Sequence, residues 1–287
     1  MTNQYEKAKV SDYGYKDYSF LKPIGKVFSI VFAITMICLL YLPIIVIAIQ
    51  SVNSSKNTSS FDSFTFQWYL NIFNEPDLLN AISNTFIVSA IATTLATVLG
   101  TIFAIGIYNL PKKARSRIMF LNNVPILNAD IVTGFSLMIM FRFLMIIFPS
   151  IFGLTTLVLA HLFFTLPYVI LSVIPKLKEL DPNLIDAAQD LGIKPMKAIY
   201  LVIVPAVKAS IFSGMILALT MSIDDFVISF FTTGAGYDNL SIWIYGVLGR
   251  RNLTPSVYAF STLLTLFTLI GLITVQILQR KRKGKKK

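Results

Sequence analysis

Six long apolar stretches dominate the chain, at roughly 27–50, 81–108, 119–148, 156–174, 209–231 and 256–279. An α-helix rises about 1.5 Å per residue, so about 20 residues cross the hydrocarbon core of a bilayer. Each stretch reaches that length except the fourth, which is marginal at 19 residues. The third is too long, and Pro125 accounts for the excess. A helix entering the membrane near Pro125 leaves 24 residues to Phe148, with 119–124 at the surface. The pattern predicts an all-α integral membrane protein with six transmembrane helices. Its parts are a cytoplasmic segment 1–26, a transmembrane domain 27–279 and a basic cytoplasmic tail 280–287.

Charge orients these spans. Lys and Arg number 21 in segments 1–26, 109–118, 175–208 and 280–287, against three (Lys56, Arg250 and Arg251) on the other side. Arg142 lies within a span. Positive residues mark the cytoplasmic side, so both termini are expected inside. Segment 1–26 is polar and no small-residue cleavage site follows the first apolar stretch, which is expected to remain as a signal-anchor helix. The formal net charge of +11 thus reflects topology and not nucleic acid. The tail Arg280-Lys281-Arg282-Lys283 with Lys285–Lys287 is expected to fix the last helix and touch anionic headgroups.

Composition narrows the chemistry. Hydrophobic residues make up 55% of the 287 and charged residues 14%, where soluble proteins carry about 25% charged. The one cysteine, Cys38, and one histidine, His161, leave no disulfide and no metal cluster. No paired-cysteine, zinc-protease or Walker-type phosphate-loop motif occurs, so no cofactor is expected on this chain and ATP, if used, binds another polypeptide. The outer loops 51–80 and 232–255 carry Trp68, Tyr69, Trp243 and Tyr245. Trp68 suits an aromatic interface belt, while Trp243 fits either the belt or a docking surface for an external partner.

The most specific signal is the cytoplasmic loop 175–208. Asp181 suits an N-cap, Pro182 the first helical position and Gly192 the left-handed position after a helix. Between them Leu184, Ala187, Ala188 and Leu191 recur at i, i+3, i+4 and i+7, one apolar stripe. Such a short helix is marginal alone and needs something to pack against. Resting on lipid headgroups suits it poorly, because Asp186 and Asp190 are its only charges before Lys194.

Asp186-Ala187-Ala188, then Gly192, Val202 and Val204-Pro205, resembles the EAA loop of binding-protein-dependent ABC permeases, with Asp for Glu, Val for Ile and Val for Leu at unchanged spacing. The resemblance runs from about Tyr41 to Thr268. It includes Asn53-Ser54-Ser55, Trp68-Tyr69, Ala160-His161, Leu166-Pro167 and Leu219–Ser229 with Phe231–Gly234, and is similar to the second permease subunit of spermidine/putrescine importers. It implies a type I importer (MetI-like) permease working by alternating access in the cell membrane. Asp186, Ala187, Ala188, Gly192 and Pro205 would couple it to a homodimeric ATPase that holds ATP and Mg. A second homologous permease and an extracytoplasmic polyamine-binding protein are the other implied partners. Such a chain is a transport subunit and not an enzyme.

Charged residues inside the spans are expensive and usually face a cavity or a partner. Asp224 and Asp225 fall inside the fifth stretch, where helical neighbours point about 100° apart. One is expected to face the pathway while the other meets Arg142 at similar depth; a packing role for both is the alternative. Asp130 suits a helix N-terminus, with a gating role as a second reading. His161 is expected to be a hydrogen-bonded core residue, and Pro43 and Pro167 to mark kinks. An acid pair favours a cationic solute over phosphonate; ferric ion and thiamine remain alternatives to a polyamine. An intramembrane aspartyl enzyme lacks a second acidic helix, and an ion-coupled transporter gives the capped cytoplasmic helix no purpose.

Overall fold

A computed structural model describes residues 21–55, 60–181, 183–234, 236–249 and 255–284. Segment 1–20, Lys56, Pro182, Arg250, Arg251 and 285–287, on which several sequence expectations fall, lie outside the described residues. The chain forms two units, Met1–Asn71 with Thr254–Lys287, and Ile72–Leu253.

In the first unit α1 (Leu21–Ser51) runs through Pro43 and lies against α12 (Pro255–Gly284). The stretch Lys26–Ser51 has a mean hydropathy of 2.9 in its most apolar window, none of which is buried by protein. A helix apolar all round needs an apolar surrounding, which lipid supplies. The backbone of α12 runs on through residues 280–284. The loop after α1 is organised by the buried Asn53. Its amide donates to Gln50 Oε1 and Ser60 O, and its Oδ1 accepts from the backbone N–H groups of Ser55 and Asp62. Trp68, on α2 (Gln67–Asn71), donates its indole N–H to Asn53 O at 2.6 Å.

The second unit is built on three long helices, α3 (Pro76–Tyr108), α6 (Leu154–Lys178) and α9 (Val204–Ile223), which pack on one another. Their contact is made of small and β-branched residues: Ala96 and Ala104 of α3, Val169 and Val173 of α6, Val207 and Ala218 of α9, all fully buried. Lipid tails are as apolar as leucine, so membrane helices associate through close packing of small side chains. Gly100 is the tightest point, since a Cβ there would sit 2.9 Å from Cβ of Val169. α6 spans 25 residues and passes through Pro167, which removes the doubt over the marginal fourth stretch.

Two expected spans are not single helices. The third was expected to enter near Pro125 and run to Phe148. Instead α4 (Lys112–Leu127) contains Pro125 and stops two residues later, and α5 (Asp130–Leu144) leaves at 101°. Pro125 withdraws one backbone donor and crowds the preceding turn; Asn128 and Ala129 then adopt extended ψ values of 147° and 136°, which turns the chain. The fifth stretch also breaks. A short α7 (Leu184–Asp190) is followed by a rod of α8 (Pro195–Ala198), a π-helical turn Ile199–Ile203 and α9. Pro205 has no N–H for the carbonyl four residues back, and a π-helical turn is one way a helix absorbs such a lost bond. The rod ends at Ile223, and α10 (Val227–Thr232) and α11 (Leu240–Gly249) follow.

Among the described residues four helices are long and apolar enough to cross a bilayer, and the bent α4–α5 pair makes a fifth. The part of α12 whose side chains are described, Pro255–Ile270, is a shorter apolar helix.

Replacing Gly100 by Val is expected to separate α3 from α6 and to destabilise the protein by about 1–3 kcal/mol. Thermal unfolding of the detergent-extracted protein checks this; a variant as stable as wild type would show the contact to be loose.

Candidate functional site

The helix break places the two adjacent acids. The α9 backbone ladder ends with Asp224 N–H to Thr220 O at 3.4 Å, and Asp224 and Asp225 lie between helices instead of on one. A new helix presents N–H groups without partners. Asp225 supplies them: Oδ1 accepts from Ile228 N–H at 3.3 Å and Oδ2 from Ser229 N–H at 2.7 Å. Aspartate is a good residue for this because its short carboxylate reaches the second and third N–H of a following helix.

Ser229 extends the network. Its hydroxyl donates to Asp225 Oδ2 at 2.7 Å and accepts from Asn239 Nδ2 at 2.8 Å. His161 Nε2 lies 2.8 Å from the same oxygen and 3.7 Å from Asp225 Oδ2. The one Ser229 hydroxyl proton is taken by Asp225, so His161 Nε2 must be the donor to Ser229. On the other side of the ring Nδ1 is 2.6 Å from Ser222 Oγ, itself 3.0 Å from Ser89 Oγ. His161, Ser89, Ser222, Ser229 and Asn239 are all buried. His161 is thus a hydrogen-bonded core residue, as its sequence context suggested; its ring partners come from α9 and α10, and Ser89 of α3 and Asn239, just before α11, bond to those serines in turn.

Asp225 also lines a cavity of about 320 Å³. Its walls include Asp224 and Phe226 from the break, Phe164 and Tyr168 from α6, and Pro125 and Asp130 from the α4–α5 elbow. Asp130 is the first residue of α5, where the helix dipole favours a carboxylate. Asp224 and Asp130 are exposed and neither has an ion-pair partner among the described residues. The cavity therefore presents three carboxylates against aromatic rings, a lining that suits an organic cation.

The pairing of Asp225 with Arg142 expected from their depth is not formed. The ion-pair contacts among the described residues are His161–Asp225 and Lys176–Glu179. The break turns Asp225 inward toward His161, while Arg142 is exposed in the last turn of α5, where a cation suits the helix dipole. Asp130, Tyr168, Phe164 and Phe226 were not singled out for a shared site from sequence. His161, Phe164 and Tyr168 are spaced i, i+3 and i+7, one face of a helix, so part of this wall was readable. Trp243 lines a separate polar cleft with Asp77, Asn80, Asn84 and Asp238.

The cytoplasmic-loop residues sit on α7. Gly192 adopts φ +78°, Gly192 N–H donates to Gln189 O and Ile193 N–H to Ala188 O, a Schellman closure. The single apolar stripe expected there is divided. Leu184, Ile185 and Ala188 pack toward the core, whereas Ala187 and Leu191 are exposed beside Asp186 and Asp190. Asn183 holds the N-cap position, and Asp181 Oδ1 accepts from Asn183 N–H at 2.9 Å. Pro205 lies at the start of α9.

A broken, acid-lined helical core reached by a rod from a capped surface helix is a permease arrangement, and residues 96–284 match the family of binding-protein-dependent transport system inner membrane components. The chain belongs to this family and is a membrane permease subunit of an ABC importer. It is 30% identical to the spermidine/putrescine transport system permease protein PotC of Escherichia coli K12, over 91% of this chain and 97% of that one. It is 31% identical to the putrescine transport system permease protein PotI of the same strain, covering 85% and 88%. A PotC homolog of Mycoplasma genitalium is 28% identical, covering 86% and 90%. In fold the chain is similar to a bacterial ABC transporter that imports the acidic polysaccharide alginate, with a TM-score of 0.64 at 14% identity, covering 92% and 98%.

Substituting Asp225 by Ala should leave the α10 N–H groups uncapped and cost about 0.5–2 kcal/mol, whereas Asn keeps an acceptor oxygen and should cost less. Comparing the thermal stability of the two purified variants checks this; equal losses would remove the capping role.

Proposed function

We propose that this chain is the polyamine-translocating permease of an ATP-driven importer, acting on spermidine or putrescine. The observation that carries the reading is the cavity at the helix break, where Asp130, Asp224 and Asp225 face Phe164, Tyr168 and Phe226. A polyamine entering this layer must exchange its hydration for carboxylates and ring faces, and each cation–π contact contributes about 0.5–2 kcal/mol. Asp224 and Asp130 are exposed at the cavity, and Asp225 completes the acidic wall from a position fixed by its bonds to α10. An anionic cargo such as alginate or a phosphonate would meet like charge here. The sequence relatives, permeases of spermidine and putrescine transport systems, favour a polyamine over ferric ion or thiamine.

The remaining parts fit one cycle. Six spans with both termini cytoplasmic put α7 on the cytoplasmic side. Its outward Asp186, Ala187 and Leu191 dock in a groove of a homodimeric ATPase, and Ala188, Gly192 and Pro205 join that helix to α8 and α9. The rod Pro195–Ile223 is 29 residues, about 40 Å at helical rise, and ends at Asp224. Motion received at α7 is thus delivered to one wall of the cavity, which opens to alternate sides. A second homologous permease completes the pathway, and an extracytoplasmic binding protein delivers the solute.

Labelled spermidine uptake by the whole transporter, in cells lacking their own polyamine uptake, tests the substrate. Asp224→Asn and Asp130→Asn should each raise KM about tenfold or more, one lost charge contact being worth about 1.4 kcal/mol or above. An assembled wild-type complex that takes up no spermidine would remove the polyamine assignment and leave the permease class standing. For coupling, Ala187→Trp should abolish co-purification of the ATPase while leaving the permease folded; retained association would place the docking surface elsewhere.

A further inference from the structure

We propose that His161 is a positioning residue for the cation site: by donating from Nε2 to Ser229 it holds the Asp225 carboxylate turned to the cavity wall. This rests on the polyamine reading above.

The argument begins with cost. An imidazole ring buried in an apolar helical core loses its hydration, and only hydrogen bonds made inside offset that loss. Packing alone would be served by leucine at position 161. Instead three serines and an amide from other elements surround the ring and Asp225: Ser222 at Nδ1, Ser229 at Nε2, then Ser89 and Asn239 behind them. Each of these is itself a buried polar group that needs a partner. Such a network is fully satisfied or it is a liability.

Its direction matters. With Nε2–H and Asn239 Nδ2–H both aimed at Ser229 Oγ, the serine hydroxyl proton can point only toward Asp225 Oδ2. That bond and the Ser229 N–H, both donors to it, hold Oδ2 on the protein side. Asp225 is the ionisable group in contact with the ring, at 3.7 Å. Without the His161 donor, the serine hydroxyl is free to rotate toward other acceptors and the carboxylate loses its fixed orientation. His161 touches no solute itself; it acts through Asp225.

The test compares wild type, His161→Gln and His161→Leu in the whole transporter, measuring KM and Vmax for labelled spermidine at matched amounts of assembled complex. Glutamine keeps an N–H donor for Ser229, the bond at issue, though not the bond to Ser222, so its KM should stay within about threefold of wild type. Leucine fills the space without either bond, and its KM should rise about tenfold, the loss of one hydrogen bond to a buried group. Equal KM in all three forms would overturn the inference, as would an equal rise in the two variants, which would mark ring shape as the need. Should His161→Leu not assemble, His161→Asn, too short to reach Ser229, takes its place. A raised KM for Asn beside a normal one for Gln then supports the inference, and equal values overturn it. A wild-type complex that assembles without spermidine uptake overturns the polyamine reading and takes this inference with it.

Discussion

A helix interrupted within an apolar layer exposes backbone groups that lipid cannot satisfy, and the centre of this molecule is organised by how one such interruption is closed. Asp225 takes the free N–H groups of α10, and Ser229 and His161 hold Asp225. The closure joins α3, α6, α9 and α10 through Ser89, His161, Ser222 and Ser229, so helices whose apolar surfaces alone would slide are pinned in register. The small-residue packing around Gly100 brings α3 and α6 close, but gives little specificity along their axes. The polar network supplies it.

The closure also divides the labour of two neighbouring acids. In an unbroken helix they would point about 100° apart and bear equal desolvation costs. At the break, one carboxylate is held in place by backbone and hydroxyl donors while the other stays exposed, and both line the cavity. A single Asp at this point would face a conflict, since a carboxylate saturated by N–H donors has less to offer a cation. The pair resolves it, and the elbow after Pro125 adds Asp130 across the same cavity.

Much of this was legible in the chain. Apolar length identified the long helices, and the spacing from Asp186 to Pro205 located the surface helix with its Gly192 closure. What sequence reading missed has a common cause. A 23-residue apolar stretch at 209–231 and the 24 residues from Pro125 to Phe148 read as continuous because hydropathy is blind to backbone hydrogen bonding. The local signals were present: Asp225 placed three and four residues before Ile228 and Ser229 has the geometry of a cap, and Pro125 sits just ahead of Asn128, a residue that favours turns. The partner of Asp225 was misassigned to Arg142 for the same reason, since depth along an assumed straight helix was used where the chain turns. Tertiary contacts such as Asp130 with the break, separated by nearly a hundred residues, carry no periodic signature.

The position of the break along the rod bears on how a permease could be driven. In the proposed cycle the rod from α8 to α9 is fixed at one end to α7 and finishes at the other in the cavity wall. Along its length α9 packs on α3 and α6 through Val207 and Ala218, so it cannot swing freely and must move with that three-helix core. The opposite wall is the α4–α5 elbow with its 101° bend, whose α5 packs on α10 at Gly134, against Phe231. A displacement of the core relative to the elbow therefore changes the distance between Asp224 and Asp130, which lie on the two sides. Two carboxylates brought together repel unless a cation sits between them, so closure of the cavity is easier when it is filled. Under the proposed polyamine reading, a loaded site would favour the closed form by its charge, which would tie movement of the rod to the presence of solute.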